Sequence, residues 1–363
     1  MKLKLVRPSV LLCALPFPML RAGPVIKHVT VYEEQGRYGG WPANHGIWSW
    51  GNEIVVGFSG AYYKRQPPGR HQYDHSKPEE PRLARSLDGG ESWTIEAPKS
   101  LLPPEQGGPE AADLPAPMDF LHPGFAMTIR FADSNTGPSR LWYSTDRGKS
   151  WHGPYRFPDL GQPGIAARTD YLINGRRDAF VFLTAAKQNR KEGRVLCART
   201  KDGGLHWQFV SYLGDEPPGF SIMPSSVRLS PSGIVTAVRV KEPPDQTSID
   251  FYESTDNASS WRSLPRPVPD TGGHGGNPPS MIRLRDGRLC LTYGYRAKPY
   301  DIRARLSSDG GKTWSGEVTL RSGAPAWEVG YPRTVQRPDG SVVTVYYWSG
   351  IIAATIWDPN RSR

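Results

Sequence analysis

Apolar residues along this chain gather in short runs rich in Val, Ile, Phe, Tyr and Thr, separated by clusters of Gly, Pro, Asp and Asn. Examples are EIVVGFSGAYY at 53–63, AFVFLTAAK at 179–187, GIVTAVRV at 233–240, RLCLTYGYR at 288–296 and SVVTVYYWS at 341–349. Runs of this length and composition predict strands, and no long stretch carries the period of an amphipathic helix. None approaches the ~18 apolar residues of a membrane span.

The runs are punctuated by a repeated eight-residue pattern, Ser/Thr-x-Asp-x-Gly-x-x-Trp. It stands at 86–93 (SLDGGESW), 144–151 (STDRGKSW), 200–207 (TKDGGLHW) and 307–314 (SSDGGKTW), with a degenerate copy at 254–261 (STDNASSW), where Ala258 replaces the glycine. The closing tryptophans, at 93, 151, 207, 261 and 314, are spaced 58, 56, 54 and 53 residues apart. Such regularity marks a repeat protein with a unit of about 55 residues. Asp followed by Gly-Gly is turn chemistry, and the tryptophan supplies apolar surface to pack over that turn. Asp88, Asp146, Asp202, Asp256 and Asp309 therefore read as turn staples.

Each unit orders its strand runs alike, which predicts one four-stranded antiparallel sheet per repeat and hence an all-β, six-bladed β-propeller. Blades are expected to open near Gly40, Met118, Gly164, Phe220, Gly275 and Glu328. The sixth has only three strands of its own. Residues 25–32 (VIKHVTVY) alternate suitably to supply the fourth and close the ring.

Composition adjusts this picture in a few respects. The 39 Gly and 36 Pro suit many tight turns. Residues 1–22 read as a signal peptide, with Lys2, Lys4 and Arg7 before a short apolar core and Ala22 as the cleavage position. That leaves a single domain over 23–363 and a secreted or periplasmic protein without an integral membrane segment. Removing Lys2, Lys4, Arg7 and Arg21 lowers the formal charge from +10 to +6. The mature chain stays basic and favours acidic partners. Its positive charge is dispersed, so nucleic acid is not an expected partner. Cys197 and Cys290 lie in different repeats and read as separate buried thiols. No metal-ligand spacing occurs, and no cofactor is expected.

In a propeller the innermost strands line a central funnel. The polar residues at those strand starts are Asn44 and His45, Asp119 and His122, Arg168 and Asp170, Ser225, His274 and Asn277, and Tyr331 with Arg333. Arg239, Arg296 and Arg303 lie at neighbouring strand ends. The long first-blade loop carries Arg70, His71, Asp74 and His75. Several arginines with few compensating acids suit a carboxylate, which a guanidinium grips with two parallel hydrogen bonds.

With its five Asp boxes the chain resembles the sialidase (neuraminidase) family of glycoside hydrolases. That resemblance implies Asp74, twelve residues before Ser86, as catalytic acid and Tyr331, in GYPRTVQRPDG, as nucleophile. A neutral Tyr avoids repulsion by the sugar's own carboxylate. It also implies Arg239, in GIVTAVR, as the second arginine of a carboxylate-binding triad, with Arg296 or Arg303 as the third. Arg333, Arg168, His45, Asp119 and His122 complete the expected substrate-binding set. Two positions depart from the family. Gly40-Trp41-Pro42 stands where it has Arg-Ile-Pro, and Met223 stands where it has the Glu that activates the Tyr. His45, Arg37, Arg333 and Glu328 are the residues available to replace them.

Three functions follow as expectations. The first is a secreted exo-glycosidase cleaving a terminal acidic sugar from a glycan. The second is a lyase or hydrolase acting on uronate-containing polysaccharide. The third is a non-catalytic carbohydrate-binding propeller.

Overall fold

The structure, a computed structural model, describes residues 26–361; the expected signal peptide lies outside them. Six antiparallel sheets follow one another along the chain as the blades of a propeller. Blades three, four and five have four strands each, in simple meander order. Blade six is built from Val329–Gln336, Val342–Trp348 and Ile351–Trp357, and the N-terminal strand Ile26–Tyr32 pairs with the last of these. The ring closes as the alternation in the first strand predicts.

Blade two departs from expectation. Its strands are Ala126–Phe131, Ser139–Ser144 and His152–Arg156, with no innermost strand. The segment around Met118 has Pro117, Pro123 and Gly124, which break a ladder. It runs instead along the face carrying the Asp boxes, with Met118 N–H bonded to the Gly203 carbonyl and Phe120 N–H to that of Arg176.

The Asp boxes are staples, as their residue types imply. In the first, the Ser86 hydroxyl donates to Asp88 (2.8 Å) and accepts from Gly90 N–H (2.7 Å), while Asp88 also accepts from the backbone and hydroxyl of Ser92. Each tryptophan also reaches the preceding blade. Trp314 meets Phe251 edge-on at 5.4 Å, Trp261 meets Phe182 at 6.1 Å and Trp151 packs on Trp48 at 5.3 Å. The motif thus couples adjacent sheets across their apolar faces, where most of the core lies.

The staples also carry charge. Hydroxyl donation from Ser92, Ser260 and Thr313 holds the carboxyls of Asp88, Asp256 and Asp309 at about 2. A folded-state value below the unfolded one stabilises the protein above the unfolded value, and that stability disappears as pH falls through the folded one. The melting temperature is therefore expected to drop between about pH 4 and pH 2. A variant with Asp88, Asp256 and Asp309 changed to Asn should melt lower at pH 7 and lose less on acidification, as calorimetry would read. Equal acid sensitivity in both proteins would refute this account.

The strand ends opposite the boxes form the other face. Tyr62, Arg239 and Glu242, Tyr295 and Trp348 all sit at that end of their strands, and the candidate site lies there. Cys197 and Cys290 are free, buried thiols in blades three and five. Among the described residues no helix is long and apolar enough to cross a membrane, and no group of three or more His, Cys, Asp or Glu is placed to hold a metal ion.

Candidate active site

Three innermost strands break their ladders at the same depth. Blade one's is interrupted between Arg37–Gly40 and Ile47–Trp50 by a 3-10 turn at Pro42–Asn44. Blade four's slips between Ile222 and Ser225, and blade six's between Gly330 and Arg333. At each break a large non-glycine residue adopts positive φ: Trp41 (56°), Met223 (54°) and Tyr331 (47°). Such backbone costs of order 1–3 kcal/mol per residue and persists only where its surroundings enforce it, often at functional sites. For Tyr331 the enforcement is explicit. Asn277, fully buried, accepts from Tyr331 N–H (2.8 Å) and donates to the Val329 carbonyl (2.8 Å). Gly330 precedes it at φ +106°, where an added Cβ would sit 2.2 Å from the Asn277 amide.

Arginines converge on the half-buried Tyr331. Arg239 donates from Nη1 to the Tyr331 hydroxyl at 2.9 Å and to the Met223 sulfur at 3.3 Å, while its Nε and Nη2 hold the Gly275 carbonyl. Arg296 lies over the Tyr331 ring at 5.3 Å and the Trp327 ring at 5.1 Å. It is 2% exposed and bonds the carbonyls of His274, Gly276 and Val329 and the Tyr347 hydroxyl (2.7 Å). Arg296 therefore builds the wall, and Arg239 reaches the phenol.

The first-blade loop folds over this wall through His71. Its ring packs on Trp41, Trp327 and Tyr347 at 5.2, 4.8 and 6.3 Å. Its Nδ1 lies 3.0 Å from Glu328 Oε1, a buried oxygen that also accepts from the Tyr38 hydroxyl (2.9 Å) and Gln72 N–H (3.1 Å). Burial lowers the His71 pKa against the opposing pull of that carboxylate, which keeps the ring neutral at pH 7. With Nδ1–H given to Glu328, Nε2 carries the lone pair and is available as a base. Tyr331 also packs on Tyr347, at 5.9 Å, so both groups touch one aromatic ring. The pairing joins positions 257 residues apart, and nothing local in the sequence announces it.

The model of the BNR repeat-like domain matches residues 125–344, more than half of the chain. The chain belongs to the BNR repeat-like domain family. No curated protein matches the sequence. Among solved structures, a Dyadobacter fermentans protein of unknown function superposes on this BNR propeller with a TM-score of 0.68 at 20% identity, covering 92% of this chain and 99% of that one. A mutant of Trypanosoma rangeli sialidase displaying trans-sialidase activity gives 0.62 at 11% identity, over 92% of this chain and 58% of that one. The NanB sialidase of Streptococcus pneumoniae gives 0.60 at 11% identity, over 92% and 71%. At these identities the likeness is one of fold. The sialidase resemblance read from the Asp boxes is thereby supported at the level of architecture, and the chain spans just over half the length of the trypanosomal enzyme.

Other expected site residues of the BNR propeller are distributed as follows. Asp74 turns its carboxylate to the hydroxyl (2.7 Å) and N–H (3.1 Å) of Ser76 and to Lys64 (3.3 Å). The Ser76 bonds above all hold it at about 2, and Lys64 is the cation it pairs with. Arg333 lies deeper, holding the carbonyls of Ala43 and Thr169 near the buried Asp170. Arg168 is buried, with Nη1 on the Ala166 carbonyl and its guanidinium 4.5 Å from the Phe131 ring. His45 is buried against Ser59 (3.0 Å), and burial keeps it neutral.

Arg303, expected near the funnel, instead lies on the third strand of blade five. There Asp301 (2.7 Å) and Glu317 (2.8 Å) neutralise it over the Tyr295 ring. Asp119 and His122 are on the Asp-box face, because their segment forms no inner strand. Asp119 pairs with Arg176 there, and His122 Nδ1 accepts from Gly124 N–H.

Proposed function

We propose that this propeller cleaves a glycosidic bond next to an acidic sugar, with Tyr331 as the reacting hydroxyl. The observation that carries this reading is the 2.9 Å bond from Arg239 to a strained, half-buried Tyr331. Arg239 stabilises the phenolate and offers positive charge to the sugar carboxylate, while Arg296 adds to the local positive field. His71, held by Glu328, takes the proton that the family's Glu would take where this chain has Met223. The resemblance implies Asp74 as proton donor to the leaving oxygen. A carboxyl held at about 2 is ionised at neutral pH, so this role requires it to exchange Lys64 and Ser76 for the substrate. The substrate class in this reading is a terminal sialic acid or similar sugar on a glycan, met by the enzyme after its own export.

A second reading, lysis of a uronate-containing polysaccharide, is favoured by one observation. A neutral histidine and a tyrosine flanking the same ring, with Met223 in place of the activating carboxylate, form a base and acid pair suited to β-elimination. There His71 removes the proton beside the uronate carboxylate, Arg239 stabilises the resulting charge, and Tyr331 protonates the leaving oxygen. Fluorogenic sialic acid and uronic acid glycosides, assayed beside ultraviolet detection of an unsaturated product, separate the two. His71→Asn is expected to lower turnover about a hundredfold in either case. Inactivity of the wild-type chain on all these substrates would leave the carbohydrate-binding function and end the enzymatic one.

A further inference from the structure

A cavity opens on the same face, between blades one and two and beneath the loop that joins them. It has a volume of about 370 Å³, and its lining includes Asn44, Glu79, Gln106, Arg130, Phe131 and Trp142. The Trp41 and Tyr73 rings, 5.4 Å apart, stand between it and the Tyr331 funnel: Tyr73 lines the cavity, and Trp41 packs on Tyr347.

Its polar inventory is unusual. Four lining atoms are buried without a hydrogen-bond partner among the described residues: the donors Arg130 Nε and Trp142 Nε1, and the acceptors Asn44 Oδ1 and Gln106 Oε1. Trp142 is only 2% exposed. Buried polar atoms in folded proteins almost always have a partner, so four without one around a single cavity mark it as a place suited to a polar guest. Charge points the same way. Arg130 packs over the Trp142 ring at 4.3 Å, donates Nη2 to the Leu101 carbonyl and makes no ion pair with a described acid. Desolvation lowers its pKa to about 9, so it remains a cation at neutral pH. The neighbouring Arg140 is neutralised by Glu105. Glu79 accepts from the Tyr73 hydroxyl (3.0 Å), which engages one side of its carboxyl, and burial raises its pKa. Phe131, Pro81, Pro103 and Trp142 supply apolar surface.

We propose that this interblade cavity binds a sugar acid, with Arg130 and Trp142 donating to its carboxylate and Asn44 and Gln106 accepting from its hydroxyls. Two donors match the anion and two acceptors match ring hydroxyls. The volume accommodates one monosaccharide with room to spare. The inference stands on the cavity's own groups and does not depend on Tyr331 chemistry.

The test is calorimetric titration with D-glucuronate and, as neutral comparator, D-glucose. It is run on the full chain and on Arg239→Met, which removes the arginine that reaches the Tyr331 hydroxyl. Glucuronate is expected to bind at least tenfold more tightly than glucose in both proteins. Adding Arg130→Met to the Arg239→Met chain should weaken glucuronate at least tenfold. Adding Gln106→Met, a loop substitution that leaves the core untouched, should weaken it several-fold. No glucuronate binding to Arg239→Met, or wild-type affinity with Gln106→Met and Arg130→Met, overturns the proposal. The first result would confine acidic sugar to the funnel. Loss of turnover without loss of this binding in Arg239→Met would uphold both sites separately.

Discussion

Tyr331→Phe is expected to lower turnover of an acidic glycoside about a thousandfold, within the range that a positioned proton-transferring side chain supplies. The substitution removes one oxygen. The ring keeps its packing on Tyr347 at 5.9 Å and its place beneath Arg296, and the Asn277 bond that fixes the backbone is untouched. Arg239 loses its phenolic acceptor but keeps the Gly275 carbonyl. The expected kinetic signature is a fall in kcat with KM changed little, because the guanidinium that meets the substrate carboxylate remains. Steady-state kinetics on a fluorogenic substrate would read it. Undiminished kcat would remove Tyr331 from the chemistry, whatever the fate of the fold.

Arg296→Met should have the largest effect on stability, about 3–5 kcal/mol in denaturant unfolding. The cost is not that of a lost charge at a surface. Arg296 joins the His274–Gly276 turn, the Val329 carbonyl of blade six and the buried Tyr347 hydroxyl through one guanidinium. Methionine fills part of the volume and satisfies none of those acceptors. Arg239→Met, with two bonds to Gly275 and the remainder at the funnel, should cost clearly less. If the two variants unfolded alike, Arg296 would be a ligand-binding arginine and not a structural one.

The architecture was legible because it is encoded locally and repeatedly. An Asp box states its own turn, its own tryptophan and, through its spacing, the size of a blade. Closure by Ile26–Tyr32 was legible because alternation in that run needed a partner and blade six lacked a strand. Blade two misled because its apolar residues, Met118, Phe120 and Phe125, are buried by turns along the box face without any strand. Alternating burial does not distinguish those cases. In the site, Tyr331 and Arg239 were readable from their places at strand starts and ends. Arg303 was not, because Glu317 becomes its neighbour only once blade five has folded, and Asp301, two residues before it, faces it only once that run is a strand. The His71–Glu328 pair was illegible for the same reason: it joins a loop of blade one to the first turn of blade six.

That Ile26–Tyr32 clasps Ile351–Trp357 has a consequence for how the molecule comes into being. The earliest described strand to leave the ribosome has no mate until all six blades have been synthesised. Until then two raw sheet borders lie bare, each able to recruit a stranger. Contacts of such sequence separation are also slow to form. Truncation within 351–357 should therefore yield aggregates instead of a smaller propeller.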